Sequence, residues 1–191
     1  MIDGILALQG DYFAHGRVLD KLGRKYVYVK TPDQLNRVDT LIIPGGESTT
    51  IRKLALANRL WEPLKNFNKP ILGTCAGIIL LAKKVINPLE ETLHRLDITI
   101  SRNAYGSQIN SFVSEGKLTQ YNKQVELVFI RAPRITHIGD GVQIIAEHNG
   151  EPVAVEQGNI IGLTYHPELA DDTTVYEHFY GLKKFKEVRV S

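Results

Sequence analysis

Four short apolar segments, at residues 5–8, 26–29, 41–43 and 71–72, each run into a Gly, Pro or polar loop and then into a segment of helical period. A strand with a wet face shows polar residues at alternate positions; an uninterrupted apolar run has to be covered on both sides. The order therefore predicts βαβ units, an α/β fold with a mainly parallel central sheet flanked by helices on both faces. Helices are expected over 13–22, 49–58 and 76–84, the second opened by Ser48 as its N-cap.

The second half reads differently. From residue 98 to about 164 strand follows strand, over 98–100, 125–130, 142–147, 152–156 and 160–164. Turns such as His148-Asn149-Gly150-Glu151 and Gln157-Gly158-Asn159 separate them. These strands are expected as antiparallel hairpins added to the first sheet. A last amphipathic helix over 173–185 would place Val175, His178, Phe179 and Leu182 on one face. No repeat or linker-like stretch divides the chain, so residues 1–191 are expected to form a single domain.

Composition removes several classes of function. With 43% hydrophobic and 23% charged residues, the chain can bury a core without staples. Its formal charge of +2 is too balanced for a nucleic-acid-binding face, and the basic cluster Lys183, Lys184, Lys186 and Arg189 reads as a solvated helix end. No apolar run approaches a membrane span of about 18–20 residues. The single cysteine cannot close an internal disulfide, and the N-terminus lacks the basic region of a signal peptide. A cytoplasmic protein with no nucleic-acid or membrane partner, no metal and no cofactor is expected.

That lone Cys75 lies in Leu72-Gly73-Thr74-Cys75-Ala76-Gly77, where an apolar strand turns directly into a helix. Gly-x-Cys-x-Gly has the spacing of a nucleophile elbow, in which small neighbours allow a sharp turn that lifts the side chain off the sheet. A thiolate there would face the positive end of a helix. The plain alternative is a buried apolar cysteine, against which the two glycines argue.

Of six histidines, His166 stands out because Thr164-Tyr165-His166-Pro167-Glu168-Leu169 follows an apolar strand. In extended backbone, held out of helix by Pro167, His166 and Glu168 would project to the same side. A carboxylate beside an imidazole fixes its tautomer and stabilises the imidazolium, as in a catalytic triad. His15, His94, His137, His148 and His178 have no such neighbour and read as structural or surface residues. A third segment, Pro44-Gly45-Gly46-Glu47-Ser48, ends the strand over 41–43 and exposes backbone N–H groups where α/β sheets bind ligands. The N–H of Gly46 would form one half of an oxyanion hole and that of Ala76 the other. A plain βα turn is the alternative.

Gly-Gly loop, Gly-x-Cys-x-Gly elbow and His-x-Glu pair, in that chain order, resemble the class I (triad) glutamine amidotransferases. More narrowly the chain resembles the family of glutaminase subunits of pyridoxal 5'-phosphate synthase. The carrying segments are Leu8-Gln9-Gly10-Asp11, Pro44 to Thr50, Gly73 to Gly77, Arg102-Asn103-Ala104-Tyr105-Gly106, Phe129-Ile130-Arg131-Ala132-Pro133 and His166-Pro167-Glu168-Leu169. The Cys and His-Pro-Glu motifs mark the superfamily, and the two Arg-containing segments mark the subfamily. Ser107, Asn110 and Tyr165 depart from the family's usual residues, and the stretch over 84–96 is compact.

The resemblance implies catalytic Cys75, His166 and Glu168, an oxyanion hole at Gly46 and Ala76, and glutamine binding by Gly46, Glu47, Ser48, Arg102, Ile130 and Arg131. Chemistry supports the two arginines independently, because an α-carboxylate needs a cation or N–H donors and an Arg leaving an apolar strand needs an anion; the plain alternative for either, favoured by chemistry alone, is a structural salt bridge. The implied reaction is hydrolysis of L-glutamine to glutamate and ammonia through a cysteinyl thioester. The ammonia would pass to a PdxS-type synthase subunit in a large hetero-oligomer, with low activity expected in isolation. Two other readings stay open: a glutaminase for another acceptor such as imidazole glycerol phosphate synthase, and a non-catalytic regulatory subunit.

Overall fold

The computed structural model describes residues 1–102 and 111–181. Its main sheet has nine strands in the order β2-β1-β3-β4-β12-β11-β10-β7-β8. The first five are β2 (Tyr26–Val29), β1 (Asp3–Leu6), β3 (Thr40–Ile43), β4 (Ile71–Thr74) and β12 (Ile160–Leu163), all mutually parallel. Beyond β12 the sheet turns antiparallel through β11 (Glu151–Gln157), β10 (Gln143–His148), β7 (Ser111–Leu118) and β8 (Lys123–Ile130). The fold is thus α/β with a parallel centre and an antiparallel extension, as the sequence pattern predicts.

Why the central parallel strands are mostly apolar is visible in their burial, whereas the edge strand β2 is only partly covered. Successive residues alternate between two cores: Ile5, Ile42, Leu72 and Ile161 pack on one face, and Leu6, Leu41, Ile43, Ile71 and Ile160 on the other. The first face is covered by α1 (Tyr12–Lys21), through Val18 and Leu19, and by α6 (Thr174–Phe179), through Val175 and Tyr176. The second is covered by α2 (Pro32–Asn36), α3 (Ser48–Ala57), α4 (Trp61–Lys65) and α5 (Ala76–Leu81).

Four expectations need correction. The N-cap of α3 is Glu47, not Ser48: its carboxylate accepts from the N–H groups of Thr49 and Thr50, and Ser48 is the first helical residue. Helix α5 ends at Leu81 rather than 84, because Ala82 takes an extended ψ of 151° and starts β5 (Ala82–Ile86). Residues 98–100 do not join the main sheet. They lie in β6 (Leu96–Ser101), which forms a separate three-stranded sheet with β5 and β9 (Arg134–Ile138). Helix α6 stops at Phe179, followed by Gly181 at φ 64°, and Leu182 and the basic cluster lie outside the described residues. No helix among the described residues is long and apolar enough to cross a membrane.

Candidate active site

Cys75 occupies the junction of β4 and α5 with φ 49° and ψ −100°, a left-handed region that side chains with a Cβ rarely adopt. Its neighbours explain why the turn is possible. A Cβ on Gly77 would strike the Ile43 carbonyl oxygen, and one on Gly73 would lie 2.9 Å from the Gly77 carbonyl carbon. The glycines therefore let β3, β4 and the first turn of α5 approach each other closely. The Cys75 N–H donates to Leu163 O of β12 at 2.8 Å, fixing the elbow to the next strand. Sγ lies 3.6 Å from Ile130 O at the end of β8.

One strand over, the chain leaves β12 and delivers His166. The residues after it are not extended: Pro167–Leu169 is a turn of 3₁₀ helix with Pro167 in its first position. Proline lacks an N–H and has a helical φ, so it starts this turn rather than preventing it. The turn still brings Glu168 back onto the ring, with Nδ1 and Oε1 2.7 Å apart. Burial works against the imidazolium, but Cys75 and Glu168 outweigh it and raise His166 to about 10. His166 Nε2 is buried without an aligned hydrogen-bond partner among the described residues. Burial likewise disfavours the Glu168 carboxylate, yet His15, His166 and a backbone N–H hold it below the ordinary carboxylate range.

The Gly-Gly loop after β3 closes the other side. A Cβ on Gly45 would run into the His166 ring and come within 3.3 Å of Cys75 Cβ. Gln9 supports the loop by accepting from the Glu47 N–H at 2.7 Å. Glu47 also accepts from the hydroxyls of Thr49 and Thr50. Although burial opposes it, these donors lower Glu47 to about 2. Arg102 bridges Glu47 (2.8 Å) and Glu90 (3.1 Å), and the Ser48 hydroxyl donates to Glu90 at 2.9 Å. Arg131, just past β8, has φ 46°, is exposed and makes no ion pair among the described residues.

A cleft of about 450 Å³ joins these segments. Gly46, Glu47, Ser48, Cys75, Arg102, Ile130, Arg131 and His166 all line it. Glu168 sits behind His166, and Ala76 is fully buried at the start of α5. One recess thus brings together a thiol, an imidazole bonded to a carboxylate, and an arginine with no ion pair among the described residues, groups of the kind that acyl transfer requires.

The SNO glutamine amidotransferase family model matches residues 5–186. This chain belongs to that family. The curated relatives include pyridoxal 5'-phosphate synthase subunit PdxT of Koribacter versatilis (strain Ellin345), 48% identical over 92% of this chain and 92% of the relative. The subunit of the same name from Pyrococcus furiosus is 47% identical over 95% and 97%. Among solved structures, one described as a glutamine amidotransferase superposes with a TM-score of 0.89 at 36% identity, covering 95% of this chain and 98% of the other. A glutamine amidotransferase from Thermotoga maritima shares the fold, with a TM-score of 0.58 at 16% identity over 94% and 81%.

For an SNO glutamine amidotransferase, the wall of the cleft also holds Gln9, Asp11 and Ile79, to which the sequence pattern assigns no role. The signal available was the Leu8-Gln9-Gly10-Asp11 segment, which lies directly after β1. Glu90, in the compact stretch over 84–96, had no local signal at all. His15 is wholly buried beside Glu168, whereas His178 is a structural residue bonded to Tyr121 and Glu156. Tyr165 is buried against Phe129 at a centroid distance of 6.1 Å, so its departure from the family pattern is a core matter. Ser107 and Asn110 lie outside the described residues.

Proposed function

We propose that this chain is the glutaminase subunit of pyridoxal 5'-phosphate synthase, hydrolysing L-glutamine to glutamate and ammonia for vitamin B6 synthesis. The observation that carries the chemistry is Cys75 at its positive-φ elbow in one cleft with the His166–Glu168 pair. The Cys75 sulfur attacks the side-chain amide carbon, and the carbonyl oxygen becomes an oxyanion facing the N–H groups of Gly46 and Ala76. His166 gives its proton to the amide nitrogen, the C–N bond breaks, and ammonia leaves a glutamyl thioester. His166 then takes a proton from water, whose hydroxide displaces the sulfur and yields glutamate. Glu168 keeps the imidazole oriented through both steps.

Glutamine's charged end is held by the cleft rim. Arg131, which makes no ion pair among the described residues, supplies a cation for the α-carboxylate. Arg102 is already shared between Glu47 and Glu90, and these acidic groups suit the α-ammonium; Ser48 and Ile130 complete the wall. The ammonia goes to a PdxS-type synthase subunit in a large hetero-oligomer, in the cytoplasm, with residues 1–191 acting as one domain.

Glutamate release from glutamine tests this, measured with and without a pyridoxal 5'-phosphate synthase subunit for wild type and Cys75→Ala. Turnover is expected from the wild type with the synthase and none from Cys75→Ala. Equal rates for the two proteins would sink the mechanism, and activation only by another acceptor synthase would reassign the partner.

A further inference from the structure

Behind the catalytic pair lies a polar cluster that the reaction as described does not use. His15 of α1 is 0% exposed. Its Nε2 is 3.5 Å from Glu168 Oε1 and 3.3 Å from Thr74 Oγ1, and its Nδ1 is 2.8 Å from the Tyr176 hydroxyl. Four elements thus contribute one polar group each: α1, the end of β4, the turn after β12, and α6. All four side chains are buried, next to the core of Ile5, Leu19 and Leu163. Polar groups placed so deep are costly unless their hydrogen bonds are made, and an apolar residue at position 15 would leave the carboxylate with one neighbour fewer.

Either tautomer of His15 can pair with the Thr74 and Tyr176 hydroxyls, which donate or accept. The carboxylate of Glu168, 3.5 Å from Nε2, only accepts and would repel a ring lone pair, which favours the hydrogen on Nε2. Nδ1 is then the acceptor and the Tyr176 hydroxyl donates to it. Burial pushes the His15 ring below the ordinary histidine range and Tyr176 well above the ordinary tyrosine range, so both are neutral and suited to these roles. The titratable groups facing His15 are Glu168 and His166 from the turn after β12, Asp11 from the cap of its own helix, and Tyr176.

We infer that His15 is a positioning residue for the reaction: its Nε2–H, aligned by Tyr176, holds the Glu168 carboxylate in place beneath His166. Residues that hold a catalytic side chain from behind limit how far it can drift, and a displacement of about 1 Å costs on the order of 10²-fold in rate. The inference rests on the glutaminase reading, since it concerns the same triad.

Two amide substitutions separate positioning from packing. The Gln side chain places its N–H near the site of Nε2, whereas that of Asn reaches only to the site of Nδ1. With the synthase subunit present, His15→Asn is expected to lower kcat for glutamate release by roughly 10- to 100-fold at little changed KM. His15→Gln is expected to recover most of that loss. The second readout needs no turnover: the ¹⁵N NMR titration of the His166 imidazole in the free chain. A mobile Glu168 stabilises the imidazolium less, so the His166 midpoint is expected to fall in His15→Asn and in Tyr176→Phe and to stay near wild type in His15→Gln. Should His15→Asn fail to fold, Tyr176→Phe, which removes a single hydroxyl, carries the test. An unmoved His166 midpoint in the folded Asn and Phe variants, or equal losses for Asn and Gln, overturns the inference. Absence of glutamate release by the wild type would instead overturn the functional reading, and the titration would still report on His15.

Discussion

Glu168 reaches back to His166 across one intervening residue, placing Oε1 and Nδ1 2.7 Å apart within a single 3₁₀ turn. Imidazole and carboxylate therefore move as one unit on a segment stiffened by Pro167. Replacing Glu168 with Gln keeps the shape but no longer enforces the tautomer or stabilises the imidazolium. Steady-state kinetics with the synthase subunit should show kcat lower by about 10³-fold or more, with KM little changed.

Gly45 faces the same ring, and a Cβ there would run into it. Gly45→Ala should displace His166 from Cys75 while leaving both cores intact. A loss of glutaminase activity of about 10²-fold is expected, with a melting temperature within a few degrees of wild type. Full activity in this variant would mean that the loop relaxes away from the ring.

Charge on the cleft rim is unevenly distributed. Arg102 is bound to Glu47 and Glu90, whereas Arg131 makes no ion pair among the described residues. A charge-assisted hydrogen bond contributes about 1.5–3 kcal/mol, so Arg131→Ala should raise KM for glutamine roughly 10- to 100-fold. Arg102→Ala should lower the melting temperature as well, because it leaves Glu90, whose side chain is only 4% exposed, without its cation.

Two groups give the stability a dependence on pH with opposite signs. His166 is raised from 6.5 to about 10, so its contribution is full below about pH 6.5 and is lost as pH rises through 10. Glu47 is lowered from 4.5 to about 2, so its contribution is present above about pH 4.5 and is lost as pH falls towards 2. Urea denaturation across pH should therefore show a shallower alkaline decline for His166→Asn and a shallower acid decline for Glu47→Gln. Glu47→Ala, which also removes the cap of α3, should cost about 1 kcal/mol near neutral pH.

The parts of the molecule that could be read from the chain are those whose cause is local. Strands β1, β3 and β4 carry their burial in their own residues, and the elbow shows in Gly73 and Gly77, which make room for the strained turn at Cys75. Strand β7 gives no local signal because its polar residues face solvent in an antiparallel ribbon, so Ser111–Leu118 lacks an apolar run. Strand β5 was hidden because Lys83-Lys84 looks like the end of α5, and only pairing with β6 makes it a strand. His166 and Glu168 meet as their i, i+2 spacing predicts, but through a 3₁₀ turn instead of extended backbone. Glu90 and His15 matter through partners 42 and 153 residues away, Ser48 and Glu168, and no window along the sequence contains both members.

Cys75 and His166 follow adjacent strands whose register is set by Leu163 opposite Thr74, with the Cys75 N–H on Leu163 O as its last bond. A slip of one residue between β4 and β12 would shift one strand by about 3.3 Å and turn its side chains to the opposite face. Such a molecule could bury much the same apolar surface and still be inert. Reactivity of the one thiol is therefore an audit of strand alignment: the fraction of a refolded preparation labelled by a glutamine-like electrophile counts the chains that paired correctly, which a spectrum of secondary structure would not distinguish.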